Sequence, residues 1–395
     1  MKNLRILFST FLPLFFVMPT SITIQMAQPP SMTFQTTQPW TWLFYDDADS
    51  INMYDPLNDL TSIASSSQNL TILVLQDTQT GPGKIWLINQ DHTIKLLEDL
   101  GEINMGDPAT MKNFINFGKE NYPAERYLLC IYDHGSAWLG SCVEENPVND
   151  LLTMHELYQA LVDGGGIDLL CFTAPCLMGP LEVIYELKDN VDAIIGDEEL
   201  SGYNNWNNVM DDISSLLTTQ SSLSTYEVAK CIIQFLRDNN PDDQDISMSA
   251  VRTDGLGTLC QALNILCKDF FKRWFSSFES ITLAHEQTIF FGGEYAESYH
   301  VYDFYHFTQN LYSYSSNTRL RQDIQTVQEA FSKIIISTYS GRENAHGVSI
   351  YFPNHLTNGQ IKIYGKAPYG LDFSSDSLWN EFLSLYALMS IVFNK

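Results

Sequence analysis

A chain of 395 residues with 45% hydrophobic and 13% aromatic content can bury a large core. This excludes a disordered protein and leaves room for two domains, or for one core with an appended subdomain. Lys and Arg number 21 against 47 Asp and Glu, a formal net charge of −26, whereas nucleic-acid phosphates need the opposite sign.

The first 27 residues read as a targeting segment. Lys2 and Arg5 precede an apolar run over 6–18, interrupted by Pro13, and small and polar residues follow through Ala27. The run is shorter than the roughly 20 apolar residues that cross a bilayer. A signal peptide over 1–27 is expected, cut between Ser21 and Ala27, with an uncleaved anchor as the alternative. Residues 28–39 form a linker rich in Pro, Thr and Gln.

Residues 40–45 are the first expected strand, with Asp46-Asp47-Ala48-Asp49 as a loop at its carboxyl end. A helix is predicted over 54–66 and a continuous apolar strand over 70–75. After the Gly81-Pro82-Gly83 turn, 84–88 and 93–97 form an expected hairpin outside the main sheet. Asp107-Pro108 opens a helix that Met111, Phe114, Ile115 and Phe117 carry to about residue 121. The apolar strand 127–132 ends in Asp133-His134-Gly135-Ser136. Thr153 and Glu156 have capping-box spacing for the next helix, which stops at Gly164-Gly165-Gly166. The strand 167–172 ends in Thr173-Ala174-Pro175-Cys176, where a helix through Leu177, Leu181, Ile184 and Leu187 is expected to start. A short strand over 191–195 enters Gly196-Asp197-Glu198-Glu199.

Strands alternating with helices imply a mostly parallel sheet with helices on both faces, an α/β fold. Beyond residue 201 helices dominate: 206–217, 224–237, 258–275, 300–312 and 318–336. Strands are expected among them at 246–251 and 347–352. The last apolar run, 382–393, has the length of a buried terminal helix.

Seven cysteines in an exported chain allow a disulfide framework, but none is expected. Cys130 and Cys171 lie in apolar strands as small hydrophobes. Cys260 and Cys267 are two helical turns apart, too far for a local bridge.

The chemistry points to two strand ends. Cys176 at a strand-to-helix junction would have its thiolate favoured by free helix N–H groups and by a nearby imidazole. His134 occupies the equivalent turn of another strand. Gly135 lets the backbone approach a ligand, and its N–H with that of Cys176 would make an oxyanion site. The plain alternative is two unrelated loop residues. No Gly-x-Ser-x-Gly elbow or phosphate-binding glycine loop occurs. His300 and His306 are a poor metal pair, and no metal site is expected.

Four segments resemble the clostripain-type cysteine peptidases, relatives of caspases, gingipains and legumains. They are Trp40-Thr41-Trp42-Leu43-Phe44-Tyr45 with Ala48-Asp49; Tyr122-Pro123-Ala124-Glu125-Arg126-Tyr127 through Asp133-His134-Gly135-Ser136-Ala137-Trp138; Cys176-Leu177-Met178-Gly179 with Glu182-Val183 and Tyr185-Glu186-Leu187; and His346-Gly347-Val348-Ser349-Ile350-Tyr351-Phe352-Pro353. The resemblance implies a caspase-like three-layer α/β/α sandwich over 40–250. A mainly helical C-terminal subdomain over 251–395 would return a strand near 347–352. It also implies an exported endopeptidase acting on peptides or proteins, with a Cys176–His134 dyad and no required cofactor. Calcium is admitted by the resemblance alone, at Asp46-Asp47-Asp49.

Two departures stand out. Where the family carries an Asp two residues before the nucleophile, this chain has Ala174, with Thr173 before it. The Lys/Arg pocket built on that Asp is therefore in question, and Asp197, Glu198 and Glu199 are the candidate substitutes, the alternative being a solvated loop. Family members often cut themselves after a basic residue between His and Cys, but no Lys or Arg occurs between Arg126 and Lys188. The competing function class is a catalytically silent caspase-like binding or cell-surface protein. A transpeptidase would use the same acyl-enzyme.

Overall fold

Strand β1 (Gln38–Ala48) is an interior strand of a nine-stranded sheet. The computed structural model describes residues 37–49, 57, 60, 61, 64–145, 148–174, 176–200, 206–241, 243–353, 363–366 and 369–393. The segment expected to direct export and most of the helix expected over 54–66 lie outside the described residues.

In chain order, β2 (Leu70–Thr78), β3 (Gly83–Ile88) and β4 (Ile94–Gly101) precede helix α1 (Pro108–Asn121). Next come β5 (Ala124–Tyr132), β6 (Gly140–Glu144), β7 (Asp150–Thr153), α2 (Met154–Asp163), β8 (Ile167–Phe172), α3 (Leu181–Glu186) and β9 (Val191–Asp197). Helices α4 (Trp206–Thr219) and α5 (Thr225–Asn239) lead to β10 (Ser247–Arg252) and the long α6 (Leu256–Glu286). After them come β11 (Phe290–Phe291), β12 (Val301–Asp303), α7 (Phe304–Tyr314), α8 (Thr318–Ile334), β13 (Ile335–Ser340) and β14 (Ser349–Tyr351). The helices α9 (Asp372–Asp376) and α10 (Trp379–Phe393) follow.

The sheet order is β13-β10-β9-β8-β5-β1-β2-β3-β4. Its centre is parallel, and one register level runs Phe44, Cys130, Cys171, Ile195 across β1, β5, β8 and β9. Side chains alternate between faces along each strand. Leu43, Tyr45, Leu129 and Leu170 pack in a core with residues of α1, α2, α3 and α6. Trp42, Phe44, Leu128 and Cys130 pack in a second core with residues of α4 and α5. This is the α/β/α sandwich. Local signals account for several boundaries: Asp107 caps α1, with Pro108 in its first turn, and Thr153 and Glu156 form the expected capping box on α2.

Four expectations are corrected. The hairpin of β3 and β4 does not stand outside the main sheet, because β3 pairs antiparallel with β2. The last predicted helical turn of 318–336 is instead the start of β13, which pairs antiparallel with β10; Ile335 and Ile336 are β-branched and suit a strand. His300 sits in a left-handed cap before β12, and α7 starts only at Phe304. Finally, α10 is not buried all round: Trp379, Phe382 and Tyr386 are inside, while Leu388, Ile391 and Val392 are 57–60% exposed. Among the described residues no helix is long and apolar enough to cross a membrane.

Candidate active site

The carboxyl ends of β5 and β8 are tied together directly. Ile131 pairs with Phe172 in the ladder. The next residue, Thr173, donates both its N–H (3.0 Å) and its hydroxyl (2.7 Å) to the Ile131 carbonyl. His134 lies three residues beyond Ile131 on one chain segment, and Cys176 three residues beyond Thr173 on the other. Both are half-buried. Parallel α/β sheets commonly place ligands at such strand ends. An open hollow lies at the opposite end of the strands, lined by Lys119, Tyr127, Asp168 and Asp192.

The segment after Cys176 is held against β9. Leu177 adopts φ +59°, and its N–H donates to the Glu199 carbonyl at 3.0 Å. Gly179 donates to the Asp197 carbonyl at 2.7 Å, and Ser349 of β14 donates to Gly179 at 3.1 Å. A helix starting at Cys176 is not formed: α3 begins at Leu181, after Pro180, and has six residues. The helix-dipole support expected for the thiolate is therefore absent. The approach to β9 is too close for a side chain, since a Cβ on Gly196 would meet the Met178 carbonyl oxygen at 2.5 Å. Gly196→Ala is expected to cost about 1–3 kcal/mol of stability through this overlap and to displace the Cys176 segment. Urea unfolding and peptide turnover on the same variant would check it.

On the histidine side, Asp133 is fully buried and accepts from the Val143 N–H. The His134 carbonyl accepts from the Cys142 N–H (3.2 Å) and the Ser141 hydroxyl (3.1 Å). Gly135 forms a bridge with Ser141 whose bonds come from the Ser136 and Cys142 N–H groups, so the bridge does not consume the Gly135 N–H. Trp138 then packs edge-on to Tyr351 and Tyr364, with ring centroids 5.3 and 5.1 Å away. These aromatics are the part of the site that sequence spacing did not reveal, because Tyr351 and Tyr364 arrive from the far end of the chain.

The acidic run at the end of β9 is buried, so it is not a solvated loop. Asp197 accepts from the Glu199 and Ser247 N–H groups at 2.9 and 3.0 Å. Glu198 accepts from the Ser247 hydroxyl (2.7 Å) and the Gly347 N–H (2.8 Å). Burial, and then Asp303, push its carboxyl well above the ordinary range. Glu199 accepts from the Leu200 and Gly292 N–H groups, and its other oxygen is paired with Arg342. Thr173 is buried with its hydroxyl committed to Ile131, and Ala174 beside it is half-buried.

Glu182, at the start of α3, accepts from the Tyr351 N–H (3.1 Å) and the Tyr364 hydroxyl (2.6 Å). Burial pushes its carboxyl up from 4.5 to about 7, against the lowering effect of these bonds. Between those values the folded state binds more protons than the unfolded state. This contribution to stability is full below about pH 4.5 and is lost as the pH rises through about 7, a change of about 3 kcal/mol. Glu182→Gln is expected to flatten that slope, so that urea titrations at pH 5 and pH 8 converge. An unchanged slope would show that Glu182 does not titrate in this window.

The loop Asp46-Asp47-Asp49 does not fit calcium. Asp46 faces away from Asp47 along β1 and accepts from the Gln76 amide at 2.8 Å. Asp49 accepts from the Glu145 N–H at 3.1 Å. The three carboxylates do not converge, and no step is derived through that ion. His306 accepts from the Ile289 N–H at 3.2 Å, which is a structural contact. Cys130, Cys142, Cys171, Cys231, Cys260 and Cys267 form no disulfide.

Known proteins with the same pattern identify the lineage. The model of the clostripain family of peptidases matches residues 41–386. Clostripain of Hathewaya histolytica is 37% identical over 101 residues, which cover 22% of this chain and 19% of that protein. The chain thus matches about a fifth of the length of that curated relative. Among solved structures, an inactive zymogen C11 protease from Parabacteroides distasonis has a TM-score of 0.64 at 19% identity, covering 86% of this chain and 98% of its own. A secreted C11 cysteine protease from Bacteroides thetaiotaomicron, in complex with an irreversible peptide inhibitor, has a TM-score of 0.59 at 17% identity, covering 87% and 99%. These two share the fold. With the family match spanning most of its length, the chain belongs to the clostripain family.

Proposed function

We propose that this member of the clostripain family is an exported cysteine endopeptidase working through Cys176 and His134. The Cys176 thiol gives its proton to His134 and the sulfur attacks the peptide carbonyl carbon; the C–N bond breaks as His134 passes that proton to the leaving amine. His134 then takes a proton from water, the hydroxide breaks the thioester C–S bond, and His134 returns that proton to the sulfur. The N–H groups of Gly135 and Cys176 stabilise the oxyanion. The observation that supports this assignment is the pair of hydrogen bonds from Thr173 to the Ile131 carbonyl, which joins the strand ends that lead into the two loops. Export rests on the basic and apolar N-terminal residues 2–18. A silent scaffold is favoured by one observation, the helix start at Leu181 instead of Cys176.

Substrate choice follows from the buried carboxylates. Asp197 and Glu198 are engaged with backbone and hydroxyl donors, and Arg342 already neutralises Glu199. A peptide-library cleavage profile is expected to lack a strict Lys or Arg requirement before the cut. A strict basic requirement would show that one of these carboxylates is released to the substrate, and no cleavage of any peptide would remove the peptidase assignment.

A further inference from the structure

Asp47, Asp133 and Cys142 meet at the carboxyl ends of β1 and β5 and take no part in the chemistry proposed above. They come from three segments: the last turn of β1, the residue after β5, and the middle of β6. All three are fully buried. One carboxylate oxygen of each Asp and the Cys142 sulfur lie within 4.8 Å of one another. Glu144, two residues beyond Cys142 and also fully buried, adds negative charge beside them.

Asp47 is the telling member. Both of its oxygens are sealed from solvent, and the Asp49 N–H and the Asp133 carboxyl beside them do not reach ordinary hydrogen-bond geometry. A buried carboxylate left so costs several kcal/mol unless something neutralises it. Burial, with Asp133 and Glu144, drives its carboxyl well above the ordinary range. The Cys142 thiol is driven up in the same way by burial, Asp47 and Asp133. A divalent cation among them would offset most of this charge. Two carboxylates and one thiolate carry three negative charges on donors from three segments. A thiolate among the donors selects zinc or a similar soft divalent ion over calcium or magnesium. Tetrahedral bonds of 2.0–2.3 Å would set the donors about 3.3–3.6 Å apart, so a cluster spanning up to 4.8 Å contracts by up to about 1.5 Å.

We propose that Asp47, Asp133 and Cys142 form a structural zinc-type metal site that ties the end of β1 to the turn carrying His134. On binding, the Cys142 thiol and any protonated carboxyl release their protons, and the metal takes their place. The site stands without the peptidase assignment; only its effect on the position of His134 depends on it.

Metal content tests it without reference to activity. Full-length protein made in zinc-supplemented medium and passed over chelating resin is expected to hold about one equivalent of zinc by mass spectrometry. Cobalt-supplemented growth should give a thiolate-to-cobalt charge-transfer band that survives Cys176→Ala and disappears in Cys142→Ser. Asp47→Asn should lower bound metal by about tenfold or more. If either variant fails to fold, the cobalt band in wild-type and Cys176→Ala protein decides the matter. Metal below about a tenth of an equivalent in wild-type protein would overturn the site, leaving protons shared among the carboxyls as the means of neutralisation. Full retention of metal by folded Cys142→Ser and Asp47→Asn would overturn it equally.

Discussion

Cys176→Ala is expected to abolish peptide hydrolysis, with kcat/KM falling by about 10⁴-fold or more. Labelling by a peptide probe with a thiol-reactive group should disappear with it. The cause is the loss of the only atom able to form the acyl-enzyme, while the half-buried position tolerates a smaller side chain without a large cavity. The thiol background is low. Cys130, Cys142, Cys171, Cys260 and Cys267 are buried, and Cys231 is half-buried with its thiol pushed up by burial. Alkylation of native protein by iodoacetamide at neutral pH therefore reports mainly on Cys176. Fast, selective modification supports an activated nucleophile. Modification no faster than at Cys231, together with unchanged turnover in the alanine variant, would make the chain a silent scaffold.

His134→Ala should lower kcat on amide substrates by about 10²–10⁴-fold while leaving Cys176 open to alkylation. Esters with good leaving groups should lose much less, because a stable leaving group needs no proton. Stopped-flow comparison of one acyl group on both leaving groups separates the two roles. Equal losses would mean that His134 acts on the thiol instead of on the leaving amine. Retention of full amide turnover would remove it from the machinery. The KM for amides should change little, since the imidazole acts in the transition state more than in binding.

Much of the sheet was legible before any coordinates. The strands 127–132 and 167–172 are largely apolar runs, the first ending in a polar, glycine-bearing turn and the second in Thr173-Ala174-Pro175, and each is a strand of the structure. The capping residues Asp107 and Thr153 mark helix starts through local side-chain to backbone bonds, which need only neighbouring residues. The misplaced elements share a cause. The hairpin of β3 and β4 could be read as a hairpin, but its partner strand β2 could not, because alternation alone does not name the edge that a hairpin joins. The start of β13 carries on the apolar spacing of α8, and only the open edge of β10 turns it into a strand.

The candidate residues and their order were set by sequence alone: a histidine and a cysteine, each at the end of an apolar strand, with glycine beside the first. What the tertiary structure decided was where charge could stay. Asp197, Glu198 and Glu199 look like a solvated acidic run in the sequence, yet folding buries them and gives them donors from β10, Gly292, Arg342 and Gly347. Asp47 looks like part of a three-aspartate loop, but the two-residue period of β1 turns Asp46 away and sets Asp47 against Asp133 and Cys142. Local periodicity fixes which face a side chain takes. The cost of burying its charge depends on neighbours tens or hundreds of residues away, and those exist only once the chain has folded.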